Sequence, residues 1–278
     1  MITLNTHELL ELLAEDLPYN DLTSEAFGIA ETMAELSLNT RGKELLICGV
    51  EEAVKLAELK NLEILEYKPS GTLINGEFFR ARGDIADIEM VVKTIQNLLD
   101  FSSGISTYTY NFVKKAKAIN PDIVIATTRK TIPFTKKLSI KSVIAGGGSI
   151  HRLNLSDSIL LFDHHRAFID IDLADAIKIA QMQNPEKKIA IEAENTQEAI
   201  EFAKMGADII QLEKFPLDEL TECVKKLRDN HKNIKIIATG GINISNISDF
   251  ASSGADIIVT TAPYFAPPAD IKVKIERL

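Results

Sequence analysis

The sequence predicts an α/β protein in two parts. An N-terminal α+β domain with an antiparallel sheet comes first, followed by a parallel sheet covered by helices in the manner of a β/α barrel. Three observations predict this. The texture changes near Gly104, from mixed helix and strand to a regular alternation of short apolar runs and helical segments. The later apolar runs are continuous, as strands buried on both faces require. Gly206-Ala207-Asp208-Ile209-Ile210 and Gly254-Ala255-Asp256-Ile257-Ile258 are nearly identical, as if one βα joint were used twice.

In the first part, Thr6 is placed to cap a helix running to Glu15. Residues 31–38 and 44–50 read as strands and 51–59 as a helix. Residues 63–67 and 77–81 read as strands, with Gly71 and Gly76 in turns. Residues 87–101 form a strongly periodic helix whose apolar side carries Ile88, Val91, Val92, Ile95, Leu98 and Leu99. In the second part, strands are expected over 122–126, 142–145, 158–162, 188–191, 208–212, 235–238 and 256–259. Helices are expected over 108–119, 173–183, 196–205, 217–230 and 244–253.

Composition narrows the function. Hydrophobic residues at 45% and charged ones at 26% fit a soluble globular chain. No apolar run is long enough for a membrane span, and the N-terminus lacks the basic flank and apolar core of a secretory signal, so a cytoplasmic location is expected. Cys48 and Cys223 lie far apart without metal-type spacing and read as structural thiols in a reducing compartment. A net charge of -9 argues against nucleic acid, which needs a broad positive face.

The strand ends carry the chemistry. After residue 126 come Thr127-Thr128-Arg129-Lys130; after 162, Asp163-His164-His165-Arg166; after 191, Glu192; after 212, Glu213-Lys214; after 238, Thr239-Gly240-Gly241; after 259, Thr260-Thr261. In a β/α barrel these C-terminal ends share one rim, which is where such folds keep their active sites. Arg129, Lys130, His151 and Arg152 form a cationic half suited to a small polycarboxylate or phosphate. Glu192 and Glu213 form an anionic half, suited to Mg²⁺ held partly by substrate or to a developing cation. Thr239, Gly240 and Gly241, with Thr260 and Thr261 on the next strand, have the make-up of a late-barrel phosphate site. Lys136 and Lys137 read as ordinary solvated charge.

These residues resemble the quinolinate phosphoribosyltransferase family (nicotinate-nucleotide pyrophosphorylase, carboxylating) over nearly the whole chain. The resemblance rests on Asp21-Leu22-Thr23, Asn97, Ser103 to Thr107, Thr128-Arg129-Lys130-Thr131, Gly146 to Arg152 and Gly240-Gly241-Ile242. Leu161 to Phe168, Gln211 to Phe215 and the ending Thr261 to Val273 make it most like the ModD pyrophosphorylase branch, named for its place beside molybdate-transport genes. The resemblance implies a type II phosphoribosyltransferase: an open sandwich over residues 1–103, an incomplete α/β barrel of about six strands over 104–268, and a tail, 269–278, returning to the sandwich. It implies a dimer, with phosphoribosyl pyrophosphate, Mg²⁺ and quinolinate or a related aromatic carboxylate as ligands. Pyrophosphate and CO₂ would leave, giving nicotinate mononucleotide. Arg129, Lys130, His151 and Arg152 would grip the acceptor's carboxylates. Glu192 and Glu213 would face ribose and metal, and Thr239, Gly240 and Gly241 the 5′-phosphate.

The chain departs from the family at three places. Lys93, on the helix that reaches across the dimer, stands for an arginine. Phe162 stands for a lysine, and Glu213-Lys214 for an aspartate before an asparagine. A point charge does not replace a bidentate fork, so the grip on two carboxylates weakens. His164, His165 and Arg166 are placed to return positive charge, His165 beside the substrate. Two other classes compete: an aldolase-type barrel using Lys130 as a Schiff-base amine, and a non-catalytic or differently specific phosphate-binding barrel linked to molybdate transport.

Overall fold

A computed structural model describes residues 2–17 and 19–278. The chain forms two compact units. The first runs through Tyr110 and includes Thr131–Gly147 and Pro263–Leu278; the second is Asn111–Lys130 and Gly148–Ala262.

The first unit opens with α1 (Thr6–Ala14). Asn5, not Thr6, is its cap: the Asn5 side chain accepts from the Glu8 N–H at 3.0 Å, and the Glu8 carboxylate accepts from the Asn5 N–H at 2.8 Å. After α2 (Leu22–Ala26) come β1 (Met33–Asn39), β2 (Leu45–Leu46), α3 (Val50–Leu59), β3 (Glu63–Tyr67), β4 (Leu73–Ile74), β5 (Glu77–Asp84) and α4 (Ile85–Ile119). The long strand expected over 44–50 shrinks to β2. The amides of Leu46 and Cys48 bond the hydroxyls of Thr107 and Ser103 on α4 instead of a neighbouring strand. Gly49 then turns left-handed, at φ 89, to start α3.

α4 is one helix where two were expected, and it passes straight through Gly104. That glycine is a close-approach residue rather than a break, since a Cβ there would clash with the Pro267 carbonyl and Pro268. The predicted apolar side of α4 is buried in full, from Ile88 to Leu99. Residues 142–145, expected as a strand, belong to α5 (Lys136–Ala145). Leu138 through Val143 are all buried, so this helix lacks the one-sided periodicity that identifies helices in sequence. α5 inserts the Lys141 ammonium between two carboxylates of α3, at 2.7 Å from Glu51 and 2.5 Å from Glu52.

The second unit contains β6 (Val124–Thr127), β7 (Ser149–Ile150), β8 (Ile159–Leu161), α6 (Asp163–Arg166), α7 (Leu173–Gln183), β9 (Ile189–Ala193), α8 (Thr196–Lys204), β10 (Ile209–Glu213), α9 (Leu217–Asn230), β11 (Lys235–Thr239), α10 (Ile247–Ala251) and β12 (Ile257–Thr260). The chain then re-enters the first unit as β13 (Lys272–Arg277), antiparallel to β1; the sheet order there is β13-β1-β5-β3. The seven strands of the second unit form one parallel sheet, ordered β7-β6-β12-β11-β10-β9-β8. The sheet curls until its edge strands β7 and β8 line a common cavity of about 190 Å³, but they do not pair, so the barrel is incomplete. Ala126, Ile237 and Val259, with Ile209 and Ile257, fill its interior.

The repeated Gly-Ala-Asp segments lead from helix into strand, not from strand into helix. Each aspartate clamps the strand beside its own: Asp208 accepts the Ile189 N–H, and Asp256 the Ile236 N–H, both at 2.8 Å. The repeat is thus a structural joint at the end of the barrel away from the charged rim.

Candidate active site

The rim is built by strand register. His151 follows β7, and its amide bonds the Thr127 carbonyl at 3.1 Å, which fixes it beside the end of β6. Thr128 continues β6; its hydroxyl lies 3.0 Å from that of Thr261, which follows β12. Glu192 on β9 stands opposite Gln211 on β10, and Glu213 opposite Thr239 on β11.

The cationic half is less cationic than the residue types suggest. Arg129 and Lys130 are exposed, whereas Arg152 is buried and its Nε has no partner. Burial, and then the neighbouring Arg129 charge, pulls the Arg152 guanidinium below its ordinary range, although arginine stays protonated. Burial, with Arg152 next to it, pushes His151 down to about 4. His151 is therefore neutral at pH 7 and is not one of four cations.

His165 does not return the missing charge. The Phe162 N–H donates to His165 Nδ1 at 3.1 Å, so this imidazole is held as a neutral acceptor. Desolvation, then His164 and Arg152, lower its pKa further. His164 stacks on Phe162 with ring centroids 5.4 Å apart and planes 13° apart, making an aromatic wall. The Arg166 guanidinium is committed to structure: it donates to the Glu192 carbonyl at 2.9 Å and to Asp163 at 3.1 Å, and lies over the Phe202 ring.

In the anionic half, burial raises Glu192, Gln211 works against that by donating to its carboxylate at 2.7 Å, and Glu213 raises it again. Lys214 lies 3.5 Å from the Glu213 carboxylate. Among the described residues no cluster of three or more His, Cys, Asp or Glu side chains could hold a metal by itself. Two carboxylates suit an ion that brings its other ligands with the substrate.

The Thr239-Gly240-Gly241 turn has two successive left-handed residues, with φ of 96 and 72. A Cβ on Gly240 would sit 2.5 Å from Lys214 Cγ and 2.8 Å from its backbone nitrogen, so only glycine fits. The helix expected over 244–253 shortens to α10, so anion binding here would rest on backbone amides more than on a helix dipole. The Thr260 hydroxyl is not available at the rim. It is buried, donating to the Ile242 carbonyl at 2.6 Å and accepting from the Ala262 N–H. Thr261 and Thr128, the latter not singled out from sequence, are the hydroxyls at this edge. Gln211 was also missed, although a lone polar residue inside Ile209-Ile210-Gln211-Leu212 was a legible signal. Lys93 lies in the first unit, exposed, bonding Gln96 of its own helix at 2.9 Å.

The quinolinate phosphoribosyl transferase C-terminal domain family model matches residues 105–274, and the N-terminal domain model residues 21–103. "Putative pyrophosphorylase ModD" of Pasteurella multocida is 35% identical over 286 residues, covering 100% of this chain and 99% of that protein. "Probable nicotinate-nucleotide pyrophosphorylase [carboxylating]" of Methanothermobacter thermautotrophicus is 31% identical, covering 96% and 98%. The solved nicotinate-nucleotide pyrophosphorylase of Francisella tularensis superposes with a TM-score of 0.89 at 24% identity, covering 99% of this chain and 98% of that one, a likeness of fold.

Proposed function

The chain belongs to the quinolinate phosphoribosyltransferase family, and on that premise we propose that it transfers phosphoribosyl from phosphoribosyl pyrophosphate to a small aromatic carboxylate. One observation carries the proposal: a single strand-end rim divided between Arg129, Arg152 and Lys130 on one side and Glu192 with Glu213 on the other. A positive pocket beside a carboxylate pair matches an anionic acceptor meeting a cation-like ribose carbon.

In this reading Arg129 and Arg152 orient the acceptor's carboxylate, neutral His151 hydrogen-bonds it, and Phe162 with His164 supports its ring. Thr239, Gly240, Gly241 and Thr261 receive the 5′-phosphate. Glu192 and Glu213 stabilise positive charge developing at the ribose. Glu192 and Glu213 would be the protein oxygens that hold a substrate-borne Mg²⁺, which would supply positive charge to the diphosphate. Lys130 is exposed, whereas a Schiff-base amine needs a desolvated pocket, which disfavours aldolase chemistry.

Quinolinate is the first acceptor to test, in a screen with phosphoribosyl pyrophosphate and Mg²⁺ that reads pyrophosphate and CO₂. We expect weak turnover, because one missing charge-assisted contact is worth about 1.5–3 kcal/mol, roughly tenfold to a hundredfold in affinity. Phe162→Lys should strengthen it by a similar factor. Turnover of another acceptor, with none of quinolinate by parent or variant, would remove quinolinate and leave the phosphoribosyl transfer. If no acceptor in a broad screen supports release of pyrophosphate, the transferase reading falls.

The proposal includes a homodimer in which Lys93 of the partner subunit completes each rim. Solution mass should give a dimer, and Lys93→Ala should raise KM for the acceptor without changing the melting temperature. A fully active monomer would exclude this arrangement.

A further inference from the structure

The end of the barrel away from the rim is open. A cavity of about 530 Å³ lies at the strand starts. Val124, Lys188, Ile209 and Ile257 line both it and the cavity of about 190 Å³ inside the barrel, so the two form one space reaching up to His151. Closed β/α barrels pack this interior solid with branched side chains. Here β7 and β8 do not pair, and the inward residues Ala126 and Ala190 are small, so part of the interior stays unfilled. Val124 faces inward and is nevertheless 42% exposed.

The inner part of this space is mainly aliphatic. An apolar cavity of about 150 Å³ is enough to take up benzene, so the lumen has room for one six-membered ring. The charges at the mouth differ in their commitments. Lys235 lies 3.1 Å from Asp256, to which Arg228 also donates. Lys188 lines both mouth and lumen, and among the described residues its ammonium has no hydrogen bond or ion pair. Asp122 lines the mouth as well, where it would repel a second negative charge.

We propose that this space is a second ligand site, for a small aromatic monocarboxylate whose ring enters the lumen and whose carboxylate pairs with Lys188. Burial of the ring supplies the affinity, and Lys188 the orientation. A phosphoribosyl donor carries several negative charges and suits the rim, not an aliphatic lumen. The site is entered from the end opposite Arg129, Glu192 and Glu213, and it goes beyond the transferase reading without depending on it.

The test is benzoate titrated into the full chain carrying ¹³C-labelled isoleucine δ1-methyls, with no phosphoribosyl pyrophosphate present. Ring currents should shift the methyls of Ile209, Ile237 and Ile257, which line the lumen, and the shifts should saturate below about 10 mM. Lys188→Gln should weaken binding about fivefold, the upper range for an ion pair open to water. Val124→Phe fills the space from its exposed side and should abolish the shifts while keeping the parent's melting temperature. Phthalate, the same ring with two carboxylates, should leave these methyls unmoved at the same concentrations. No saturable shift at these isoleucines in the folded parent, or shifts that both variants leave unchanged, overturns the proposal. Binding lost in Arg129→Gln but kept in Val124→Phe would place benzoate at the rim and overturn it too. No readout uses turnover, so failure of the transferase reading leaves this test as it stands.

Discussion

Lys141→Met should destabilise the protein by about 3–5 kcal/mol, because it leaves carboxylates buried without their cation. The Lys141 side chain is 3% exposed and that of Glu52 is 1%, so water cannot replace the lost partner. Burial alone would lower the Lys141 pKa; the hydrogen bonds from its ammonium to Glu51 and Glu52 outweigh it and hold the pKa above its ordinary value. A fall in melting temperature of roughly 10 °C is expected for a chain of this size. Glu52→Leu placed on Lys141→Met should recover part of it, since removing both partners costs less than stranding one. No change on Lys141→Met would mean that the cluster is solvated in solution.

The same cluster sets an acid dependence. Burial would raise Glu51, but hydrogen bonds from Lys141 and from the Ser70 hydroxyl and backbone outweigh it and bring it from 4.5 down to about 2. A depressed carboxylate stabilises the fold above its unfolded pKa, and the contribution is lost as pH falls through the folded value. Stability should therefore drop between about pH 4.5 and 2, by on the order of 2–3 kcal/mol after discounting for partial exposure. The Lys141→Met variant should show a shallower dependence in that window.

Glu192→Gln and Glu213→Gln should each lower kcat by about 10²–10³-fold while leaving the fold intact, the scale for removing one preorganised group that faces developing charge. Both carboxylates stand at strand ends, and neither supports the core, so melting temperatures should match the parent. Phosphoribosyl pyrophosphate with Mg²⁺ should raise the parent's melting temperature by mass action, and less so in the variants. The reading is decided by kcat under saturating ligand together with that thermal shift. Variants that bind and turn over like the parent would show that the anionic half of the rim plays a different role.

Much of this was legible because strand and helix periods are local. Helices α7 and α9 fall where the apolar spacing put them, and so does β3. The strand-end positions of Arg129, Glu192, Glu213 and Gly240 follow from the same spacing. Elements went wrong where burial erased the period or a long-range bond replaced a local one. Residues 138–143 of α5 are buried without a break, which hides its helical period so that 142–145 read as a strand, and residues 46 and 48 give their amides to α4 hydroxyls.

The sequence by itself determined the two-part α/β plan, the parallel strand–helix alternation and which residue types gather at the rim, because hydrophobic period and turn chemistry act over a few residues. Only the tertiary structure decided what those residues are. His151 became a neutral group through burial against Arg152, and His165 through a bond from the Phe162 amide. Thr260 turned inward to the Ile242 carbonyl, and Gln211 came to face Glu192 through register. Charge state and hydrogen-bond partner depend on desolvation and on neighbours tens of residues away, and no local pattern carries either.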